Sequence, residues 1–191
     1  MERTISGMMG KGSVNHNTRA FTAKNVDKER SRDNVEFCHS DIKEVYHNLF
    51  GDALERYNAK QKRSDRKIDD YYEKIRRGKQ EKLFYEVIFQ IGNKDDMNVQ
   101  SNEGQLAKDI LYKFMEQFQK RNPNLFVFSS HLHMDVKYSI VLMVYGVYRV
   151  REKRRIGTSY TNRKKNVYDV TWKRIRKILK SGIGSGSFFI P

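Results

Sequence analysis

The sequence predicts an α+β chain, with an antiparallel or mixed sheet and helices packed on one face. Three observations lead there. Strand-like runs are interspersed with amphipathic helical stretches, the two clearest strands are separated by a long helical one, and polar loops punctuate them all. With 191 residues there is chain for one domain, or for one domain with an appendage.

Ile5–Met9 is a short apolar run, read as a strand, and the polar residues that follow as far as His39 read as a long loop. Ser40 is a good N-cap, and from it Ile42, Val45, Tyr46, Leu49, Phe50, Ala53, Leu54 and Tyr57 step by three and one, forming one helical stripe. Ile68, Tyr71, Tyr72 and Ile75 predict a second helix, stopped at Gly78. Leu83, Tyr85, Val87, Phe89 and Ile91 alternate with Glu86 and Gln90 on the other side, the pattern of a half-buried strand. After a polar loop over residues 92–104, Leu106, Ala107, Ile110, Leu111, Phe114, Met115 and Phe118 predict a third helix, which ends at Asn122 and Pro123. Residues 125–134 read as a strand with Phe126, Phe128, Leu132 and Met134 on one face and Val127, Ser129, His131 and His133 on the other. Residues 137–150 read as a strand pair around Gly146, residues 151–165 as a basic loop, 172–179 as a helix and 181–187 as a Gly/Ser linker.

The net charge of +15 implies a polyanionic partner, with nucleic acid first and an anionic membrane surface second. The charge is uneven. Residues 136–191 hold 14 Lys+Arg against 2 acids, whereas residues 1–135 hold 24 against 21. That shift divides the chain into residues 1–135 and a strongly basic tail, 136–191. A single cysteine, Cys38, excludes an internal disulfide and fits a reducing, cytoplasmic setting. No secretory signal is visible at the N-terminus. The uncharged apolar stretch Tyr138 to Tyr148 has 11 residues, short of the roughly 17–25 that a membrane-spanning helix requires.

Two constellations carry chemistry. Within residues 12–30, His16 lies between Asn15 and Asn17, followed by Arg19, Lys24, Asn25, Lys28 and Arg30. Such a loop can hold phosphates through charge-assisted hydrogen bonds around an imidazole that acts as nucleophile or proton shuttle. It can equally be a solvated polar loop. Farther on, His131, His133 and Asp135 share one strand face, as metal ligands or as a hydrogen-bonded pair at a strand end. Two imidazoles fall short of the about three ligands of a catalytic metal site, and no histidine follows His133. The spacing of Cys38, His39 and His47 argues against a metal site there. The basic runs at 151–155 and 173–177 can meet phosphates but carry nothing that reads bases.

The segments GKGSVNHNTRAFTAKNVDKERS, IKEVYHNLFGDALERYNAKQ, EKLFYEVIFQIG and QKRNPNLFVFSSHLHMD, in unbroken order over residues 1–135, resemble the Mob/Pre family of plasmid mobilisation and recombination relaxases. The resemblance implies an HUH-relaxase-like fold, an antiparallel sheet carrying a metal-binding histidine cluster with helices behind it. The implied reaction is strand-specific nicking at a plasmid transfer origin. A side chain attacks one phosphodiester, becomes joined to the 5′ end and leaves a free 3′ hydroxyl. His16 matches the nucleophile. Asn15, Asn17, Arg19, Lys24, Asn25 and Arg30 stand where contacts to plasmid DNA are expected. His133 matches the first ligand of a divalent ion, Mn²⁺ or Mg²⁺, with His131 beside it. The family pattern then stops: its Glu position is Val136, and its Thr-Pro-His-x-His segment is absent, leaving two of three ligands missing. The expectation is therefore a truncated or rearranged relaxase domain with an incomplete sheet and impaired nicking. The rival readings are a non-catalytic DNA-binding protein and a decayed gene product.

Overall fold

Every residue of Val141–Val147 is buried, and that run lies in the middle of a five-stranded antiparallel sheet. The computed structural model describes residues 5–10, 12–78, 81–91, 99–136 and 140–148. Its strands are β1 (Ile5–Met9), β2 (Val35–His39), β3 (Tyr85–Ile91), β4 (Leu125–His133) and β5 (Val141–Tyr148), in the spatial order β1-β3-β5-β4-β2. An apolar run with no charged side chain suits a central strand because both of its faces are covered. Leu142 and Val144 point into one cluster, and Val141, Met143, Tyr145 and Val147 into another.

The α+β antiparallel expectation holds, but the helices are shared between the two faces. On one side α4 (Asn102–Glu116) and α5 (Phe118–Arg121) bring Ala107, Leu111, Met115 and Phe118 against Val87, Phe89 and Leu142. On the other, α2 (Ile42–Asn58) and α3 (Tyr71–Arg77) bring Val45, Tyr46 and Ile75 against Phe128, Met143 and Tyr145. The fifth short helix, α1 (Val14–Asn17), also lies on this second side, through Val14.

Several local expectations change. Residues 35–39 are the edge strand β2 rather than loop; a register shift between Glu36 and Cys38 breaks the alternation that would have signalled it. Asp41, not Ser40, caps α2, accepting from the backbone N–H groups of Lys43 and Glu44. The Ser40 N–H instead donates to the Phe128 carbonyl (2.8 Å) and prolongs the β2 ladder. A bulge in β4 between Val127 and Ser129 exchanges two side chains. Val127 joins the α4 side with Leu132, and Phe128 joins the α2 side. Gly146 is a residue of β5 opposite Val127 and Tyr85, not a turn. A Cβ there would come within 2.7 Å of the Leu125 side chain, so glycine lets Leu125 pack down onto the strand.

The change in charge balance after Asp135 therefore falls inside the sheet, one strand short of its middle. The expectations for residues 151–165, 172–179 and 181–187 lie outside the described residues. Among the described residues no helix is long and apolar enough to cross a membrane.

Leu142 is fully buried among both neighbouring strands and α4. Leu142→Ala should lower the unfolding free energy by about 2–5 kcal/mol, read as a reduced urea midpoint with an unchanged slope. Phe126→Ala, at a side chain 37% exposed, should cost far less. Equal losses would mean that β5 is not the centre of the core.

Candidate functional site

One side chain, Asn17, joins the N-terminal loop to the histidine face of β4. Ser13 caps the single turn of α1, accepting from the His16 N–H (3.3 Å), so that Asn17 emerges from the end of that turn directed at the sheet. Its amide nitrogen donates to Ser129 Oγ (3.0 Å) and to His131 Nδ1 (2.9 Å). Its amide oxygen accepts from His133 Nε2 (3.0 Å). These partners assign the tautomers. His131 Nδ1 accepts, so its proton is on Nε2, which donates to Glu36 Oε2 (2.9 Å). His133 carries its proton on Nε2, leaving Nδ1 as a bare lone pair, buried, with no hydrogen-bond partner and 3.8 Å from Asp135 Oδ1. The two rings are stacked, with centroids 5.9 Å apart and planes 6° from parallel.

Asp135 ties the same loop down a second time. Arg19 grips it bidentately, Nε to Oδ2 at 2.8 Å and Nη2 to Oδ1 at 2.6 Å. Ser31 and Asn34 each donate to Oδ2 at 2.8 Å. Arg19 also donates from Nη1 to the His16 carbonyl (2.8 Å). Its backbone adopts φ 55°, the single positive φ at a non-glycine position among the described residues. A left-handed residue of this kind costs roughly 1–2 kcal/mol, which the three guanidinium hydrogen bonds offset.

Charge states follow from this packing. Burial, then the Arg19 charge, pushes the pKa of His133 down to about 3. Burial also lowers His131, partly opposed by the hydrogen bond to Glu36. His16 is lowered by burial and by Arg19, against the opposing pull of Glu86 and Asp135. All three imidazoles are therefore neutral near pH 7. Burial on its own would raise Asp135, but the hydrogen bonds from Arg19, Asn34 and Ser31 outweigh it and hold the carboxylate well below its ordinary range.

The expected site residues separate into two groups. His16, Asn17, Arg19, His131, His133 and Asp135 come together. Asn17, expected at a DNA phosphate, is instead wholly buried, because the sheet needs its amide to satisfy two rings. The Arg19 guanidinium is held by Asp135 rather than presented outward. Arg30 donates to the Val136 carbonyl (3.1 Å) and pairs with Asp27. Asn15, Lys24 and Asn25 are exposed.

Glu86 and Tyr145 belong to the site as well, and sequence reasoning missed both. Glu86 is buried rather than on a solvent face. Its Oε1 accepts from the Tyr145 hydroxyl (2.5 Å) and its Oε2 from the Gly12 N–H (2.8 Å). The Tyr145 hydroxyl also lies 3.2 Å from the Ser13 carbonyl. Gly10 is a necessity there, since a Cβ would overlap Glu86 Oε2. The one available signal was an acid and a tyrosine in runs otherwise apolar.

The donors of the cluster do not fit a divalent ion. Both nitrogens of His131 and both oxygens of Asp135 are engaged, and His133 offers only Nδ1. Directly paired residues share a sheet face, and β5 sets Val141 opposite His133 and Met143 opposite His131. Neither supplies the hard donor that such an ion takes. Val136, at the expected glutamate position, pairs in an isolated bridge with Val26. Among the described residues no three His, Cys, Asp or Glu side chains are grouped to hold a metal.

A family model described as "Plasmid recombination enzyme" (Mob_Pre) matches residues 9–182, well beyond residue 135. Two crystal structures are similar to this chain, both described as the MobM relaxase domain (MOBV; Mob_Pre), Mn-bound and bound to plasmid pMV158 oriT DNA. The structure at pH 5.5 aligns with 17% identity and a TM-score of 0.45, and that at pH 4.6 with 16% and 0.43; each alignment covers 91% of this chain and 86% of the other. A search of curated proteins found no match.

The depressed His133 makes stability depend on pH. Its ordinary pKa of about 6.5 applies to the unfolded chain, so between pH 6.5 and about 3 the unfolded state binds the extra proton. Stability from this group is fully present above pH 6.5 and is lost as pH falls, by up to about 1.4 kcal/mol per unit. Urea unfolding across this range should show that slope, and His133→Gln should flatten it. An unchanged slope in the variant would assign the titration elsewhere.

Proposed function

This chain belongs to the Mob_Pre family of plasmid recombination enzymes, and from that membership we propose that it is a relaxase-like protein that binds plasmid DNA and nicks it poorly. The observation that carries the reading is the closed hydrogen-bond network of Asn17, His131, His133 and Asp135, with Val141 and Met143 as the β5 residues paired with the two histidines. It works in the cytoplasm, where its cysteine stays reduced, and its DNA is a plasmid transfer origin.

His16 is the nucleophile in this reading. Its neutral imidazole, half-buried beside Phe21, has a lone pair available for attack. Attack forms a P–N bond and breaks the P–O3′ bond. The 5′ end remains on His16, and the 3′ oxygen leaves and takes up a proton from water. Negative charge that gathers on the phosphoryl oxygens needs a cation in place. Arg19 is the near one, and its guanidinium is already neutralised by Asp135. A divalent ion is the family's expected source of that charge, and this chain's donors do not fit one. Missing electrostatic stabilisation of this kind costs on the order of 10²–10³ in rate.

The same closed network favours a second reading, a DNA-binding protein that performs no chemistry. Exposed Asn15, Lys24 and Asn25 would then serve only to hold the strand.

The full chain, incubated with Mn²⁺ and a supercoiled plasmid carrying a transfer origin, should shift the plasmid in a salt-sensitive way and leave it supercoiled. Nicking that disappears in His16→Ala would overturn the impairment. A denaturation-resistant protein–DNA adduct lost in the same variant would confirm the nucleophile. Absence of binding at low salt would overturn the DNA reading itself.

A further inference from the structure

The connection between α2 and α3 is a clamped loop whose purpose the histidine site does not explain. Asn58 closes its base, donating from Nδ2 to the Ile68 carbonyl (2.7 Å) and accepting the Ile68 N–H at Oδ1 (2.9 Å). Ile68 is buried, so the clamp is anchored. Between these residues stand Lys60, Lys62, Arg63, Arg66 and Lys67, all exposed. The loop's one acid, Asp65, is held by Arg63 in a two-pronged pair at 3.0 and 2.7 Å. The other four cations make no ion pair among the described residues. With Arg56, residues 56–67 hold six of the 24 Lys+Arg of residues 1–135 and one of their 21 acids; without them that part of the chain would be net acidic. Like charges gathered on one loop repel one another, and a bound polyanion relieves that repulsion.

The chemistry of the loop selects the polyanion. It contains no aromatic residue, so it offers no platform on which unpaired bases could stack. It contains no large apolar side chain to enter a lipid interface. Arg63 is forked onto Asp65, which leaves Arg66 and three lysines, and the lysines meet phosphate as point charges. What remains is contact with closely spaced phosphates, and duplex DNA presents them at the highest density. The position agrees. Helix α2 begins three residues after His39, whose Nδ1 lies 3.4 Å from Ser129 Oγ within the histidine cluster. Its 17 residues span roughly 25 Å. The loop is on the same side of the sheet as α1, which carries His16.

We infer that residues 59–67 are a docking surface for the backbone of double-stranded DNA, gripping duplex on the same side of the sheet as the strand held at His16. The inference rests on the DNA reading above and adds to it the place and the form of the second contact.

The test compares the full chain with a variant carrying Lys60→Gln, Lys62→Gln, Arg66→Gln and Lys67→Gln, on a duplex and a single strand of about 30 mixed-sequence nucleotides, by fluorescence anisotropy over a salt series. The slope of log K against log salt on duplex should fall by about 3–4, since each lost phosphate contact removes about 0.9. Duplex affinity near 0.1 M salt should drop at least tenfold, and single-strand affinity should change little. If the fourfold variant loses its melting transition, Lys62→Gln and Lys67→Gln tested singly should each lower the slope by about 1. An unchanged duplex slope, with the native chain binding well, overturns the loop and leaves the DNA reading standing. An equal loss on single strand overturns the duplex assignment. A native chain with no salt-dependent binding to either probe overturns both.

Discussion

The side-chain amide of Asn17 fills three roles at once, and the site depends on it. It is fully buried and presents two donors and one acceptor to Ser129, His131 and His133. Each ring nitrogen so reached would otherwise be a buried polar atom without a partner, at a cost of about 1–3 kcal/mol. The amide also chooses the tautomers, because its nitrogen can only donate and its oxygen can only accept. Through this residue the loop bearing His16 is joined to β4, beside the central strand, and the imidazoles of His131 and His133 are fixed in direction.

A second knot at Asp135 makes the arrangement hard to open. Arg19, Ser31 and Asn34 converge on one buried carboxylate, and the Asp27 N–H donates to its backbone carbonyl. Together the two knots stitch residues 13–34 across the end of β4. The consequence for chemistry is mixed. The loop is held at several points beside His16, while the Arg19 guanidinium and the ring nitrogens of His131 and His133 are turned inward. Glu86 and Tyr145 extend the same logic to the far side of the loop, holding Gly12 and Ser13 from the central strands.

Charge completes the division of labour. Within the histidine cluster the one cation, Arg19, is cancelled by Asp135. Uncancelled positive charge lies at the surface, for example at Lys24 and on the loop after α2.

Periodicity along the chain determined much of the architecture. The stripes of α2 and α4 and the alternation of β3 are properties of neighbouring residues, and they survive in the fold with shifts of a few positions. The placing of His131 and His133 on one face was legible for the same reason, a side-chain period of two. Tertiary contact decided the rest. The bulge at Phe128 and the edge strand β2 come from pairing with a partner strand, which no local pattern records. Asn17 and Arg19 read as surface groups by type, yet each is turned inward by partners more than 100 residues away. Glu86 became buried because a tyrosine 59 positions later met its carboxylate. The centrality of β5, seen in sequence only as an uncharged run, follows from its having a hydrogen-bonded neighbour on each side. Local spacing sets which face a side chain occupies, and only the folded partner sets whether that face is wet, paired or closed.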